Sequence, residues 1–569
     1  MRVIAKFTQN ERRQARYLLL ASFVVLGVGV WPLLGSHALY LDDMGRALDG
    51  YFGWNINARP AAEGVMRLLG FGDALVNIAP LPQLAAWVIA GVVSLVWWRQ
   101  VPGLHPVVYV LGNALIWLTP FTLQNFTYVF DSLPMTIALA SAVLASLLLR
   151  QPLSSCPSSS LQSLSLKNRW RQLMVATALL LVALCSYQPA LNAFLVLSLL
   201  EALFSASVRR SDNDLAYTSV SGSWQDLLQR AGVVIAALVL YLPLSRLLVA
   251  GEYSQQHGRM LDPGDLMALL DGARGNLQAA ANAWRGGMDH VSLVLSMLLL
   301  LIVLIMALVG AGAYSRSGGK GDAGRSAGWR ERGLETSFKR LSRGLWLLLL
   351  IPALWGPMLL LAEPVFHSRT LVAWGPLLGG MLMLGLAGQE NVRRHQRYMV
   401  RVLLTVAALL LMRQWLIFAA WSNALTTQQH YEAQLAERIV RDASTLGLPL
   451  SSVRDSATFN PLSPLPILVL GKAPIAPLAR VAQRQVPAVK QNLIAAFTPN
   501  NYWAVVRLRT AGASAVTLLR DRSLKMQLAE RTACRAVFTT PLVPYQLWQS
   551  DGVLVIDFRD MTQACVTND

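Results

Sequence analysis

The residues best placed to do chemistry lie in one short stretch. Residues 40–60 read Tyr-Leu-Asp-Asp-Met-Gly-Arg-Ala-Leu-Asp-Gly-Tyr-Phe-Gly-Trp-Asn-Ile-Asn-Ala-Arg-Pro. The adjacent carboxylates Asp42 and Asp43 sit among a third acid, Asp49, two arginines, Arg46 and Arg59, two asparagines and Trp54. A carboxylate can take a proton as a general base or ligate a divalent cation. Read without function, the same stretch is a solvated turn whose charges pair with one another.

Stepping outward from that stretch, the chain around it is apolar in long blocks. It is 54% hydrophobic and 14% charged, against roughly 25% charged in a soluble chain. Windows of about 17–22 residues with few or no charges recur, each long enough to cross a ~30 Å hydrocarbon core as a helix. About eleven such spans are expected, near 17–35, 76–98, 104–120, 132–149, 172–187, 190–207, 231–250, 291–313, 345–361, 370–388 and 402–421. The first is read as an uncleaved span, because its apolar run is long and no small-residue cleavage site closes it.

The net charge of +18 does not point to nucleic acid. The basic residues form short runs between apolar spans: Arg12, Arg13 and Arg16, Arg99, the segment 150–171, Arg209, Arg210 and Arg230, the segment 316–343, and Arg393, Arg394 and Arg397. All fall on one side, which by the positive-inside rule puts the N-terminus in the cytoplasm. An odd number of spans then puts the C-terminal region outside, together with the loop from about 36 to 75. Within that loop, Glu63–Phe71 reads as an amphipathic helix lying along the interface. The Ser/Leu stretch 153–166 and the Gly/Ser/Arg stretch 315–333 read as flexible cytoplasmic loops.

From about Ser422 the composition changes. Residues 425–446 read as an amphipathic helix with Leu435 and Ile439 on one face, and Pro464–Leu470, Ala515–Leu519 and Gly552–Phe558 read as strands. The expected architecture is a polytopic α-helical membrane module over 1–421 followed by a small extracytoplasmic α/β domain over 422–569. Of the four cysteines, none lies in a CxxC or Cys/His spacing. Cys534 and Cys565 both fall in the outer domain, where an oxidising compartment permits a disulfide between them.

The pattern Asp-Asp-x-x-Arg-x-x-x-Gly-Tyr-x-x-Trp, closing on Arg-Pro, is met by Asp42, Asp43, Arg46, Gly50, Tyr51, Trp54, Arg59 and Pro60. It resembles the type II glucosyltransferase family of O-antigen modification, polytopic enzymes similar to the GT-C class. Where that family usually has Gly before Arg-Pro, this chain has Ala58. The stretch from Gln124 to Met135, containing Asn125, Tyr128 and Asp131, and the Tyr187-Gln188 pair with Asn192 resemble the family too. The resemblance covers roughly residues 17–440.

The resemblance implies a sugar donor on polyprenyl phosphate and a glycan acceptor, both used on the periplasmic face of a bacterial inner membrane, with a flippase and a donor synthase as partners. It implies an Asp general base, Asp42 in preference to Asp43, and a cation for the leaving phosphate, from among Arg59, Arg46, Arg369 and Arg246. Arg413 is a further arginine within a span. Arg246 could equally snorkel to the interface. Sugar contacts are expected from Trp54, Tyr51, Asn125, Tyr128, Asp131 and Gln188, although Trp54 and Tyr128 would serve as well as interface anchors. Asp131, a carboxylate at the edge of a span, needs a partner. No cofactor is required, and Mg or Mn at the acids stays open. Rival readings are transfer of arabinofuranose or galactose, a protein acceptor, a flippase of lipid-linked sugars, and a non-catalytic scaffold.

Overall fold

A computed structural model describes residues 8–150, 162–205, 220–262, 264–317, 329–387, 394–447, 450, 464–530 and 544–559. The expected Cys534–Cys565 pair and much of the stretches 153–166 and 315–333 lie outside these residues. The protein is mostly helical and divides into two compact units. One comprises Met1–His37, Phe52–Asp73 and Asn77–Ala419; the other comprises Ala38–Tyr51, Ala74–Val76 and Ala420–Asp569.

In the first unit and at its end, seven described helices are long and apolar enough to cross a membrane: Gln9–Ser36, Leu81–Gln100, Asn168–Ser186, Ser223–Leu248, His290–Ala307, Ser368–Leu386 and Arg397–Thr445. Pro106–Trp117, Ser132–Leu148, Gln188–Phe204 and Leu341–Ala353 are apolar but shorter. The helices sort by burial. Every residue of Trp374–Leu386 is buried, as a helix apolar all round requires at the centre of a bundle. It packs on Pro106–Trp117, Leu191–Ser205 and His290–Ser317. The Val220–Leu248 helix instead leaves Ile235, Val239 and Leu240 exposed. Exposed apolar side chains along a helix of this length suit lipid and not water.

Helix association in lipid draws on close contact more than on hydrophobic expulsion. The seam between Pro106–Trp117 and Trp374–Leu386 shows this. A Cβ built on Gly375 would lie 2.1 Å from the carbonyl oxygen of Ile116, and one on Gly379 would lie 2.3 Å from that of Gly112. The two backbones touch because these positions carry no side chain.

Two arginines within the helices show how a charge is held there. Arg413 Nε donates to Asp289 Oδ1 at 3.1 Å. Asp289 also accepts from the backbone of Val291 and Ser292, capping the helix that starts at His290. Arg230 is buried and donates to the hydroxyls of Ser146 at 2.9 Å and Ser198 at 3.3 Å.

Two expectations need correction. Residues 402–421 and 425–446 are one helix, Arg394–Thr445, because nothing between them breaks it. A second amphipathic helix, Leu266–Gly287, was not expected. Its N-cap Asp265 accepts from the backbone of Met267 and Ala268, and Asn276 ties it to the carbonyls of Leu359 and Leu361. The Glu63–Phe71 stretch is helical as part of Pro60–Gly70. Ala62, Glu63 and Met66 are buried in the unit, while Leu68 and Phe71 face out.

The second unit holds a four-stranded sheet of order β2-β1-β4-β3, with β1 Leu465–Leu470, β2 Val516–Leu518, β3 Gln546–Ser550 and β4 Val553–Asp557. β1 pairs in parallel with β2 and β4, and β3 is antiparallel to β4. A parallel neighbour needs a crossover, and Ala479–Gln485, Pro487–Asn492 and Tyr502–Thr510 supply it between β1 and β2. β3 was missed in the sequence. It ends on the two-residue turn Asp551-Gly552, where both φ are positive, 51° and 71°, the favoured geometry for an Asp-Gly hairpin. Alternate residues of β4 face opposite sides. Leu554 and Ile556 pack with Ile467, Leu435 and Ile439, whereas Val553 and Val555 pack with Leu468, Leu528 and Trp548.

Candidate functional site

In the first unit, the loop from Phe52 to Arg59 is folded back on itself. Gly53 and Ala58 both have positive φ, 73° and 55°, and Asn55–Asn57 forms a single 3-10 turn between them. Ala58 stands where the resembled family has glycine. A left-handed backbone is the reason glycine suits the position, and alanine accepts it at a cost of roughly 1–2 kcal/mol. Pro60 then opens the Pro60–Gly70 helix at its first turn, where no backbone N–H is needed. Glu63 accepts from the backbone N of Asn55 at 3.0 Å and pairs with Arg67, whose guanidinium lies 4.2 Å from the centre of the Phe52 ring.

The loop is pinned to the helices by side chains. Trp54 is fully buried and its Nε1 donates to Asp131 Oδ1 at 2.6 Å. Arg59 Nε donates to Gln188 Oε1 at 3.0 Å. Gln188 Nε2 in turn donates to the Asn57 carbonyl and to the Tyr241 hydroxyl, and that hydroxyl donates to the Ala58 carbonyl. Tyr241 was not singled out in the sequence. It lies 183 residues from Ala58 within an apolar run, and no local signal marks it.

Tyr187 joins two arginines. The Arg59 guanidinium lies 5.2 Å from the centre of its ring, and its hydroxyl donates to the Arg369 carbonyl at 2.7 Å. Arg369 is held further by Tyr128, whose hydroxyl accepts from Nη1 at 2.8 Å and whose ring lies 5.1 Å from the guanidinium. The backbone N of Arg369 donates to Gln124 Oε1. Desolvation foremost, and the charge of Arg369 as well, lower the proton affinity of Arg59, while Tyr187 opposes them. Arg59 forms no ion pair among the described residues. Nearby, His367 is held below its ordinary pKa by desolvation and then by Arg369. The local field is therefore positive and aromatic-walled, the setting in which an anion replaces lost hydration.

The sugar candidates divide. Gln188, Tyr128 and Asp131 are occupied in positioning Arg59, Arg369 and Trp54. Trp54 is corrected: with no exposed ring face it neither stacks on a sugar nor anchors at an interface. Asn125 is 4% exposed and its Oδ1 has no hydrogen-bond partner among the described residues. Arg246 is exposed and makes no hydrogen bond or ion pair with this cluster among the described residues.

Asp42, Asp43, Arg46 and Tyr51 belong to the second unit. They lie on or just after the helix Asp42–Asp49, entered through Leu41 at φ 44°. The helix is anchored by the Tyr40 hydroxyl on the Asn492 carbonyl at 2.7 Å, by Gln429 on the Leu39 carbonyl, and by an Asp49–Arg509 ion pair at 2.8 Å. The two acids differ as adjacent helical positions must. Asp43 is fully buried and accepts from the backbone N of Tyr40 at 3.3 Å. Asp42 is half-buried, and its carboxylate has no hydrogen-bond or ion-pair partner among the described residues. Arg46 is buried. Burial chiefly raises the Tyr51 phenol, with Arg46 opposing and Asp42 adding. No three His, Cys, Asp or Glu side chains converge among the described residues.

A membrane protein of many apolar helices with a partly buried arginine cluster and an accessible acid is the class these observations define. The chain belongs to the Glucosyl transferase GtrII family, whose model matches residues 32–320. That family is one of glycosyltransferases. The matched segment contains Asp42, Arg59, Asp131 and Gln188 and ends before Arg369. A protein of Salmonella phage P22, described as an uncharacterized 55.3 kDa protein in the gtrB 5' region, is 23% identical over 260 residues, 45% of this chain and 47% of that protein. The chain thus spans about half the length of the curated relative it matches. No solved structure matches.

Proposed function

We propose that the protein transfers a sugar, glucose in the first instance, from a polyprenyl-phosphate donor to O-antigen or a related surface glycan on the periplasmic face of the bacterial inner membrane. The observation that carries this is that Tyr187 contacts both Arg59, through its guanidinium, and Arg369, through its carbonyl, with Arg59 free of any ion pair among the described residues. Transfer breaks the bond between the anomeric carbon and the phosphate oxygen, and the leaving polyprenyl phosphate gains negative charge. Preorganised cations lower the barrier to such a step. The acceptor hydroxyl attacks the anomeric carbon and gives its proton to Asp42, whose carboxylate has no hydrogen-bond or ion-pair partner among the described residues. Asn125 serves the donor's sugar, and Tyr51 the acceptor. Arg46 and Arg246 are secondary candidates for the phosphate, and Mg or Mn remains a candidate at the acids.

The proposal includes the expected topology: about eleven spans, the N-terminus cytoplasmic, a membrane module over 1–421 and a periplasmic domain over 422–569, where a Cys534–Cys565 disulfide would form. A flippase and a donor synthase would be its partners. The runner-up readings are transfer of arabinofuranose or galactose, transfer to protein, and flipping of the lipid-linked sugar.

The test uses the full chain in nanodiscs with polyprenyl-phosphate-[14C]glucose and O-polysaccharide. We expect labelled polysaccharide, and for Arg59→Ala a kcat/KM for donor lower by at least about 100-fold. Translocation of intact donor with no transfer would favour the flippase instead. A cysteine replacing the exposed Gln434 should react with an impermeant label from the periplasm.

A further inference from the structure

We infer that Tyr51, Tyr502 and Trp503 form the subsite for a pyranose of the acceptor glycan, so that the C-terminal segment reads the acceptor. The inference rests on the transfer reading above and adds a role for Tyr502 and Trp503, outside the segment the family model matches.

The three rings converge on Gly45, one turn along the Asp42–Asp49 helix from Asp42. A Cβ at Gly45 would lie 3.3 Å from the Tyr51 hydroxyl, 3.7 Å from the Trp503 ring and 3.7 Å from the Tyr502 ring. Tyr502 and Trp503 are edge to face, with centroids 5.6 Å apart. Asn501 fixes them, since it caps the Tyr502–Thr510 helix by accepting from the backbone N of Trp503 at 3.1 Å. That helix packs on Asp42–Asp49.

The rings are not closed into a core. Tyr51 is 43% and Tyr502 41% exposed. Neither hydroxyl, nor the Trp503 indole N–H, has a hydrogen-bond partner among the described residues. Open aromatic faces beside unused donors match a sugar ring, which offers an apolar C–H face and a rim of hydroxyls. The charges nearby favour an uncharged sugar over the donor's phosphate: Asp42, Asp43 and Asp49 stand against Arg46 and Arg509. A saccharide held here lies on the same helix as the proposed base, whose charge Tyr51 feels.

The test uses the full chain in nanodiscs and, as probe, O-polysaccharide freed of lipid by mild acid from the strain that carries the gene. Wild type, Trp503→Ala, Trp503→Phe and Tyr502→Ala are compared in two assays. In transfer kinetics, Trp503→Ala and Tyr502→Ala should raise the acceptor KM about tenfold, roughly the loss of one well-made ring contact, with kcat within about twofold and donor KM unchanged. Trp503→Phe should recover most of the loss. In saturation-transfer NMR without donor, the polysaccharide should bind wild type and Trp503→Phe and not Trp503→Ala. An unchanged acceptor KM in both alanine variants, or equal binding by all four proteins, overturns the subsite. So does a wild type that does not bind the polysaccharide. Binding lost in Trp503→Ala by a protein that transfers nothing supports the subsite and overturns the donor reading instead.

Discussion

Trp54 Nε1 donates to Asp131 Oδ1 at 2.6 Å, across 77 residues of chain, and both side chains are buried. The bond gives a carboxylate at a membrane edge the donor it requires and places Arg59, five residues on, against Tyr187. Trp54→Phe removes the indole N–H that donates to Asp131 together with part of the ring volume. We expect a loss of about 1–3 kcal/mol, the scale of a lost buried hydrogen bond to a charged group with a small cavity added. Thermal unfolding of the nanodisc-bound chain measures it, and an unchanged midpoint would show the bond to be idle.

The two acids should separate by what they cost. Asp42→Asn alters a half-buried carboxylate without a partner, so the unfolding midpoint should stay within about 1 °C while turnover falls about 100-fold or more, the usual scale of a lost general base. Asp43→Asn alters a fully buried group that accepts from Tyr40, and it should lower the midpoint. If both variants turn over like wild type, neither acid is the base.

Ala58 offers a test of loop geometry. At φ 55°, Ala58→Gly relieves roughly 1 kcal/mol of left-handed strain and loses a buried methyl worth about 0.8 kcal/mol. The two offset, so stability and activity should hardly move. Ala58→Val puts a β-branched residue in the same backbone, and donor kcat/KM should fall by about tenfold or more as Arg59 leaves Gln188. Equal activity of the Gly and Val variants would show that the turn does not set Arg59.

A pH dependence is expected in the second unit. The Tyr545 phenol is raised above its ordinary value, by burial first and then by its hydrogen bond to Asp442 and that group's charge. The folded chain therefore keeps a proton that the unfolded chain releases near pH 10. The stability it contributes is whole below about pH 10 and declines as the pH rises beyond that. Calorimetry between about pH 9 and 11 should show a shallower decline for Tyr545→Phe than for wild type; parallel curves would remove Tyr545 as the cause.

The apolar helices were legible because lipid demands long uncharged runs, and Asp131 was legible as a group in need of a partner. The identity of that partner was not, since Trp54 is 77 residues away in the chain and its type is common at interfaces. Trp54 was misread because indole suits a membrane surface and a buried hydrogen bond equally well. The Leu266–Gly287 helix escaped because it is too polar for a span, although Asp265 is a fair cap. β3 escaped because Gln546 and Gln549 interrupt its apolar alternation, and only the Asp-Gly turn announces it. Nor could any local pattern show that residues 38–51 fold with 420–569, which is why Tyr502 and Trp503 went unnoticed.

Where Gly375 meets Ile116 and Gly379 meets Gly112, glycine lets backbone approach backbone with no room for a Cβ between them. Side chains elsewhere can absorb a displacement by changing rotamer; bare backbones cannot. The seam is therefore a stiff datum, and Arg369, six residues before Gly375, takes its height from it. An added methyl at Gly375 would act at a distance, as a shim under a lens mount moves the focus without touching the glass.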